Sequence, residues 1–256
     1  LSTYINGIPI DIIAKLLPLK SRLNLGVWLH VYLQNTTAIN DKDNKSATRF
    51  SKKKLIDLIQ HLDTIIRNFP AEKPFKTTWS NYYDDTILSK EYLQEKEKIV
   101  LEFCGQTGAK TLLDLGANDG YFSKKLAAQN MTVVATDTDS RCINKLYLDT
   151  KKNAALNILP LVVDVANPSP AIGFNNRERC AFHERITTEL VLALALIHHL
   201  VIGRNIPVPA LASYFHRIAP QLIIEFVPKQ DEKVKQMLRS RPDIFVDYDQ
   251  QHFESA

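Results

Sequence analysis

Cysteine is scarce in this sequence, and apolar runs long enough to span a membrane are absent from it. The three cysteines, Cys104, Cys142 and Cys180, are far apart and form no C-x-x-C pair, which argues against a zinc site or a disulfide framework. No uninterrupted apolar stretch approaches the ~20 residues that a membrane-spanning helix needs, and no secretory signal opens the sequence. We therefore expect no bound metal, no membrane partner and a cytoplasmic protein.

A strong excess of either charge is also lacking. The 256 residues carry a net charge of +4, and 45% of them are hydrophobic, which is ordinary for a globular protein. The positive surplus lies in the first 100 residues, where Ser51 stands before three consecutive lysines at the predicted start of a helix. A short run of this kind is more typical of a solvated helix face than of an RNA-binding surface, although nucleic acid is not excluded as a partner.

Glycine is infrequent, but two glycines stand in the most informative segment, Thr111–Ser123. An apolar run ends at Leu115, and Gly116 and Gly120 follow on either side of Asn118. Glycine lets the backbone turn sharply and pass close to a ligand, and asparagine tolerates left-handed conformations better than most residues. The pattern predicts a strand, a cofactor-binding turn and a helix start. It lacks the G-x-G-x-x-G arrangement that cradles a pyrophosphate.

Three acidic side chains accompany the predicted strands. Asp114 lies in the first strand, Asp137 ends the second strand 21 residues after the first glycine of the turn, and Asp164 follows the third. Ligands bind at the carboxyl ends of parallel strands, so Asp137 with Thr138 is placed to accept hydrogen bonds from ribose hydroxyls. Asp164 with Val165 is placed to receive an adenine amine. Carboxylates in and near the turn favour a ligand with cationic groups over a pyrophosphate.

With these features, residues 90–240 resemble class I S-adenosylmethionine (SAM)-dependent methyltransferases. Their first motif is an acidic residue followed by x-G-x-x-x-G, and here Asn118 replaces the middle glycine that many members have. The resemblance implies SAM as the cofactor and these cofactor-binding residues: Asp114, Gly116, Asn118, Gly120, Asp137, Thr138, Asp164 and Val165.

Three further blocks, Trp79–Tyr83, Leu192–Leu200 and Ile224–Asp231, look like those of bacterial methyltransferase-like proteins, some of them nodulation-related. We treat the three blocks as parts of one site. Trp79 and Tyr83 are expected to line the cofactor or substrate pocket, or else to join the N-terminal part to the core.

The alternation of strand and helix patterns predicts an α/β fold: a Rossmann-like, doubly wound, mainly parallel sheet with an N-terminal helical extension. We assign residues 1–88 to a helical lid or cap, with dimerisation helices as the alternative, and residues 89–256 to the Rossmann-like domain. No pattern for the antiparallel sixth and seventh strands implied by the resemblance is visible, so we expect the C-terminal hairpin to be missing. Five strands are predicted, at 111–115, 132–136, 159–163, 190–197 and 221–225.

Candidate catalytic residues follow the fourth and fifth strands. His198 and His199 come directly after the longest apolar run, and a histidine is the natural proton acceptor when the methyl acceptor is a hydroxyl or an amine. One histidine of the pair is expected to face the site, although the pair could instead cap the next helix. Glu225, at the end of the fifth strand, is the other candidate.

The sequence thus predicts a SAM-dependent methyltransferase acting on O or N of a small or medium-sized acceptor. The alternatives are an RNA or protein methyltransferase, a non-catalytic cofactor-binding protein and, least favoured, an NAD-dependent oxidoreductase. The Asn/Asp-Pro-Pro-Tyr/Trp motif of enzymes that methylate exocyclic amines is lacking. The sequence leaves the acceptor and the oligomeric state open.

Overall fold

The computed structural model describes residues 4–5, 7–36, 51–68, 90–239 and 241–256. The chain forms two compact units, Leu1–Phe75 and Lys76–Ala256. The predicted boundary between residues 88 and 89, and the predicted pocket residues Trp79 and Tyr83, lie outside the described ranges. No helix within those ranges combines the length and apolarity needed to cross a membrane.

The described part of the N-terminal unit is helical. Its elements are α1 (Ile10–Leu16), a 3-10 helix (Leu19–Leu23), α2 (Leu25–Val27), a π-helical turn (Trp28–Leu33) and α3 (Lys52–Arg67). Ser51 caps α3 because its hydroxyl oxygen accepts a hydrogen bond from the backbone N–H of Lys54 at 3.3 Å. The nitrogens His30 Nε2 and His61 Nδ1 lie 2.9 Å apart and link the π-helical turn to α3.

The second unit is built on a five-stranded parallel sheet in the order β3-β2-β1-β4-β5. Crossovers on both sides of β1 make it doubly wound, so the predicted Rossmann-like α/β class is confirmed. Pro160 lies in β3, an edge strand, where the missing N–H of proline is tolerated. The strands are β1 (Thr111–Leu115), β2 (Thr132–Asp137), β3 (Ile158–Val162), β4 (Leu190–Ala193) and β5 (Gln221–Ile224).

Helices cover both faces of this sheet because successive strand residues point to opposite sides. Leu112 packs in the cluster that contains Val100 and Leu126, whereas Leu113 packs on the other face with Phe215. The helices of the unit are α4 (Lys90–Thr107), α5 (Tyr121–Ala127), α6 (Ser140–Lys152), α7 (Phe182–Arg185), α8 (Val208–Ile218), α9 (Glu232–Arg239) and α10 (Gln250–Glu254), with a 3-10 turn (Phe174–Asn176) and a π-helical turn (His199–Gly203).

The fourth strand is shorter than predicted. The apolar run predicted a strand over 190–197, but β4 ends at Ala193 and the backbone then bends through Ala195, whose φ is +47°. The remaining apolar residues are used by the following turn instead, and Ile197 is buried there. Beyond β5, the part of the chain that the structure describes contains only helices and loops.

Candidate functional site

A left-handed turn follows β1 and opens the site. Gly116, Asn118 and Gly120 have φ values of +75°, +52° and +78°. The backbone N–H groups of Gly116 and Ala117 both donate to the Thr136 carbonyl oxygen at 2.9 Å, which ties the turn to the end of β2. A Cβ on Gly116 would lie 3.3 Å from the side chain of Leu196. A larger residue is therefore disfavoured by both conformation and space.

A cavity of about 300 Å³ lies at the carboxyl ends of the strands, in the size range of small-molecule sites. Eight of the residues predicted from the sequence line it: Asp114, Gly116, Asn118, Asp137, Thr138, Asp164, Val165 and His199. The cavity is also lined by apolar side chains, among them Phe122, Leu194, Leu196 and Leu200. Two positively charged side chains, Lys96 and Arg204, belong to the same lining.

The structure does not bring three other predicted residues to this wall. Gly120 packs instead against α6, because a Cβ there would lie 2.4 Å from Leu146 Cδ1. His198 is buried and does not line the cavity, and Glu225 lines a neighbouring groove. Proximity to the turn or to a strand end was therefore not enough to place a side chain on the wall.

Asp114 is an almost fully buried carboxyl group, with 4% of its surface exposed. Burial raises its pKa to about 7, and the nearby charge of Asp137 acts in the same direction. The Ser123 hydroxyl donates to Asp114 Oδ2 at 2.5 Å and partly offsets the effect on the pKa. A cation bound in the cavity would favour the ionised form of Asp114.

The carboxylate of Asp137 stabilises the turn through hydrogen bonds to the backbone. Its Oδ2 accepts a hydrogen bond from the backbone N–H of Asn118 at 2.9 Å, and its Oδ1 accepts one from Asp139 at 2.8 Å. Burial raises the pKa of Asp137, and these backbone hydrogen bonds oppose the rise. A carboxylate has about four lone-pair positions, so each oxygen keeps capacity for a ligand hydroxyl.

Asp164 lines the cavity from the loop after β3, which is two strands away from β1 in the sheet. Its Oδ1 accepts the backbone N–H of Ala166 at 3.0 Å, and its Oδ2 lies 3.1 Å from a guanidinium nitrogen of Arg204. Asp164 is thus held by two partners while it faces the cavity. No motif surrounds Arg204, so its place in the site could not be predicted from the sequence.

The two histidines differ in their surroundings. The bend at Ala195 turns the chain, so His199 lines the cavity while His198 keeps only 3% exposure. Their ring centroids are 4.1 Å apart. Within the described ranges, His198 Nδ1 has no hydrogen-bond partner.

The imidazoles of this pair are held in the neutral form. Burial lowers the pKa of His198 to about 3, and the positive charges of Lys233 and Lys96, together with His199, add to the effect. Burial, then the charge of Lys233, lowers the pKa of His199. A neutral imidazole on the cavity wall can accept a proton at neutral pH.

Glu225 is engaged by a lysine that the sequence prediction missed. Lys96 Nζ lies 2.7 Å from Glu225 Oε2, and the two side chains are 17% and 23% exposed. Lys96 lies on α4, which precedes β1, and no motif surrounds it. Among the described residues, no group of three or more His, Cys, Asp or Glu side chains is arranged to hold a metal ion.

No protein-family model matches the sequence. The chain is 31% identical to nodulation protein NoeA of Rhizobium meliloti (strain 1021) over 261 residues, which cover 98% of this chain and 54% of that protein. The chain is similar to a nodulation protein. This match confirms the predicted resemblance to nodulation-related proteins, and the chain spans about half the length of this relative.

Several solved methyltransferase structures are similar to part of this chain. The bifunctional kinase-methyltransferase WbdD is 18% identical with a TM-score of 0.48, over 75% of this chain and 39% of that chain. Magnesium protoporphyrin IX methyltransferase (ChlM) from Synechocystis PCC 6803, with bound SAH (S-adenosylhomocysteine), is 18% identical with a TM-score of 0.44, over 70% and 80%. Because the similarity to these structures is low, the cofactor must be inferred from the residues that line the cavity.

Proposed function

We propose that this protein is a SAM-dependent methyltransferase that transfers a methyl group to O or N of a small or medium-sized acceptor. One observation carries the proposal: Asp114, Asp137 and Asp164, each in or just after a different strand, line one cavity beside the Gly116 turn. Three carboxylates suit a ligand that carries an ammonium, a sulfonium, ribose hydroxyls and an adenine amine.

The same charges argue against a dinucleotide. A pyrophosphate requires backbone N–H groups and positive charge at the turn, but the N–H of Asn118 is already bonded to Asp137. Asp119, within the turn, adds a further carboxylate that pairs with Lys145 at 2.6 Å. NAD is therefore the less suitable cofactor for this turn.

Each part of the cavity has a role in this proposal. Asp114 would attract the ammonium group of the cofactor, Asp137 with Thr138 would accept its ribose hydroxyls, and Asp164 with Val165 would contact the adenine. Gly116 and Asn118 allow close approach of the backbone. Trp79 and Tyr83, outside the described ranges, stay proposed pocket residues.

Methyl transfer asks the protein mainly to align the acceptor and to exclude water. SAM supplies the electrophilic methyl group on a sulfonium leaving group. Leu194, Leu196 and Leu200 provide the apolar wall, and His199 would take the proton of an acceptor hydroxyl or amine. His198 supports His199 from the core, and Glu225 acts through Lys96 rather than as a base.

The test is release of S-adenosylhomocysteine when the purified protein is incubated with SAM and fractionated small-molecule extracts. The proposal predicts release that depends on an extract fraction and that falls strongly in Asp137→Ala. Asp149→Ala, which changes a carboxylate of α6 that pairs with Lys124 on the protein surface, is the matched control. Cofactor binding with no release from any fraction would favour the non-catalytic alternative.

An RNA acceptor is the second candidate because three exposed lysines, residues 52–54, begin α3. Binding to phosphates by these lysines would weaken as salt increases. RNA binding that is lost between low and physiological salt, and lost in the triple Lys→Gln variant, would support this form of the function. The absence of RNA binding at low salt would remove it.

A further inference from the structure

We propose that Lys96 binds the α-carboxylate of SAM. This inference rests on the proposed function and assigns a residue to the one anionic group of that cofactor. SAM carries a carboxylate as well as its positive groups, and the three cavity carboxylates cannot bind it. Of the described residues that line the cavity, Lys96 and Arg204 carry positive charge.

Location distinguishes these two cations. Arg204 is paired with Asp164 beyond β3, at the end proposed for the adenine. Lys96 Nζ lies 5.8 Å from the centroid of the Phe122 ring, and Phe122 follows the glycine turn directly. The neighbouring Ser123 bonds to Asp114, the residue proposed for the ammonium group. Lys96 and Asp114 therefore belong to the same end of the cavity, where the two charges of an amino-acid group would be met together.

The position of Lys96 is fixed before any ligand binds. Its ammonium is held by Glu225 at 2.7 Å, and both side chains are largely shielded from water. Tyr92 places its hydroxyl 3.5 Å from the other oxygen of Glu225. An ammonium has three donors, so one bond to Glu225 leaves two for a carboxylate in the cavity. A preorganised donor of this kind loses little side-chain entropy on binding.

The experiment compares two ligands that differ in a single group. Calorimetric titrations of the full chain with SAM and with decarboxylated SAM are made for the wild type and for Lys96→Gln. Glutamine keeps a donor for Glu225 but carries no charge. We expect the substitution to weaken SAM binding roughly 10- to 150-fold, the fold-change that corresponds to a lost charge-assisted hydrogen bond. Binding of decarboxylated SAM should be unchanged or tighter, because the lysine charge repels that more cationic ligand.

Two control variants sharpen the comparison. Lys98→Gln changes an exposed lysine on the same helix and should alter neither affinity. Arg204→Gln, which changes the cation paired with Asp164, should change both affinities by the same factor.

The outcomes separate this inference from the proposed function. Equal losses for both ligands in Lys96→Gln, or no loss for either, would overturn the assignment of Lys96 while the wild-type affinity for SAM still supported the function. Failure of the wild type to bind SAM would overturn both.

Discussion

Asp114 and His198 are buried ionisable groups, and burial pushes both toward their neutral forms. For the carboxyl group this means a pKa raised to about 7, and for the imidazole a pKa lowered to about 3. The two shifts share the cause that removing a charge from water costs free energy. They have different consequences, because the proposed ligand can compensate Asp114 whereas no described group hydrogen-bonds His198 Nδ1.

Cofactor binding should release a proton from Asp114. With a pKa of about 7, much of this group is protonated at pH 6.5, and a bound ammonium favours the ionised form. SAM affinity should therefore rise with pH up to about 7, by at most about tenfold per unit. Calorimetry at pH 6.5 in buffers of different ionisation enthalpy measures the released proton. Asp114→Asn should abolish the release, and Asp149→Asn should keep it; a wild type without release would contradict the role of Asp114.

His199 should set the acidic limit of turnover. Its lowered pKa keeps the imidazole neutral at pH 7, so kcat should be flat near neutrality and fall only below the ordinary histidine pKa of about 6.5. His199→Asn should reduce kcat by roughly 10²- to 10⁴-fold and remove this acidic limb. His198→Asn is the comparison, and its reduction should be smaller. Equal pH profiles for the wild type and His199→Asn would rule out a general base at this position.

His198 should make the folded state sensitive to acid. The unfolded state takes up a proton as pH falls through about 6.5, while the folded state resists protonation down to about 3. Stability from this residue is therefore complete above pH 6.5 and falls by about 2 kcal/mol at pH 5. Denaturant unfolding of the wild type and His198→Gln at pH 7 and pH 5 should show the variant gaining by this amount at pH 5. A pH-independent difference between them would contradict the burial argument.

At the scale of elements, the turn between β1 and α5 requires two glycines, each for a different structural reason. Gly116 lines the cavity, whereas Gly120 packs against the side chain of Leu146 in the core. Because Leu146 is fully buried, it cannot move away from an added methyl group without disturbing α6.

Gly120→Ala should destabilise the second unit by roughly 2–5 kcal/mol, the sum of a left-handed conformation and an overpacked contact. Gly105→Ala is the matched control: it lies within α4, and a Cβ there would meet no atom within 4 Å. This control should stabilise by about 0.5–1 kcal/mol, as expected in a helix. Urea unfolding followed by circular dichroism measures both changes. A neutral Gly120→Ala would show that the turn tolerates a side chain.

Most of the sheet could be predicted from the sequence, because buried parallel strands read as short apolar runs that end at polar or glycine residues. β1, β2, β3 and β5 were placed within one residue of their observed bounds. The end of β4 was not, since the run through Ile197 contains no breaker and Ala195 adopts a positive φ without being glycine. Apolar character alone does not separate a strand from the buried turn that follows it.

The predicted residues that line the cavity come mainly from strand ends, whereas the charged residues that helices and turns add to it were not predicted. Lys96 and Arg204 face the cavity from elements whose rotation depends on tertiary packing. Glu225 follows the last residue of β5 directly, yet it lines the neighbouring groove and pairs with Lys96. Which of the two histidines faces the cavity depends on the bend at Ala195.

At the scale of the whole molecule, the division into two compact units suggests that the second can fold alone. A fragment spanning residues 76–256 should keep the circular dichroism of the α/β unit and bind SAM within about threefold of the full chain, because its core clusters lie within that span.

Measurements of turnover and of oligomeric state then distinguish the two proposed roles of the N-terminal helices, a lid and a dimer interface. A lid predicts that the fragment loses turnover while both chains have the same oligomeric state by light scattering. Dimerisation helices predict a dimeric full chain and a monomeric fragment. Loss of folding in the fragment would contradict the independence of the second unit.

The central claim is that the cavity at the ends of β1 to β4 binds SAM. Its most direct test is a calorimetric titration of the full chain with SAM, S-adenosylhomocysteine and NAD in parallel. The account predicts saturable binding of the first two ligands, weakened in Asp137→Ala, and no binding of NAD. Binding of NAD alone, or of none of the three ligands, would contradict it.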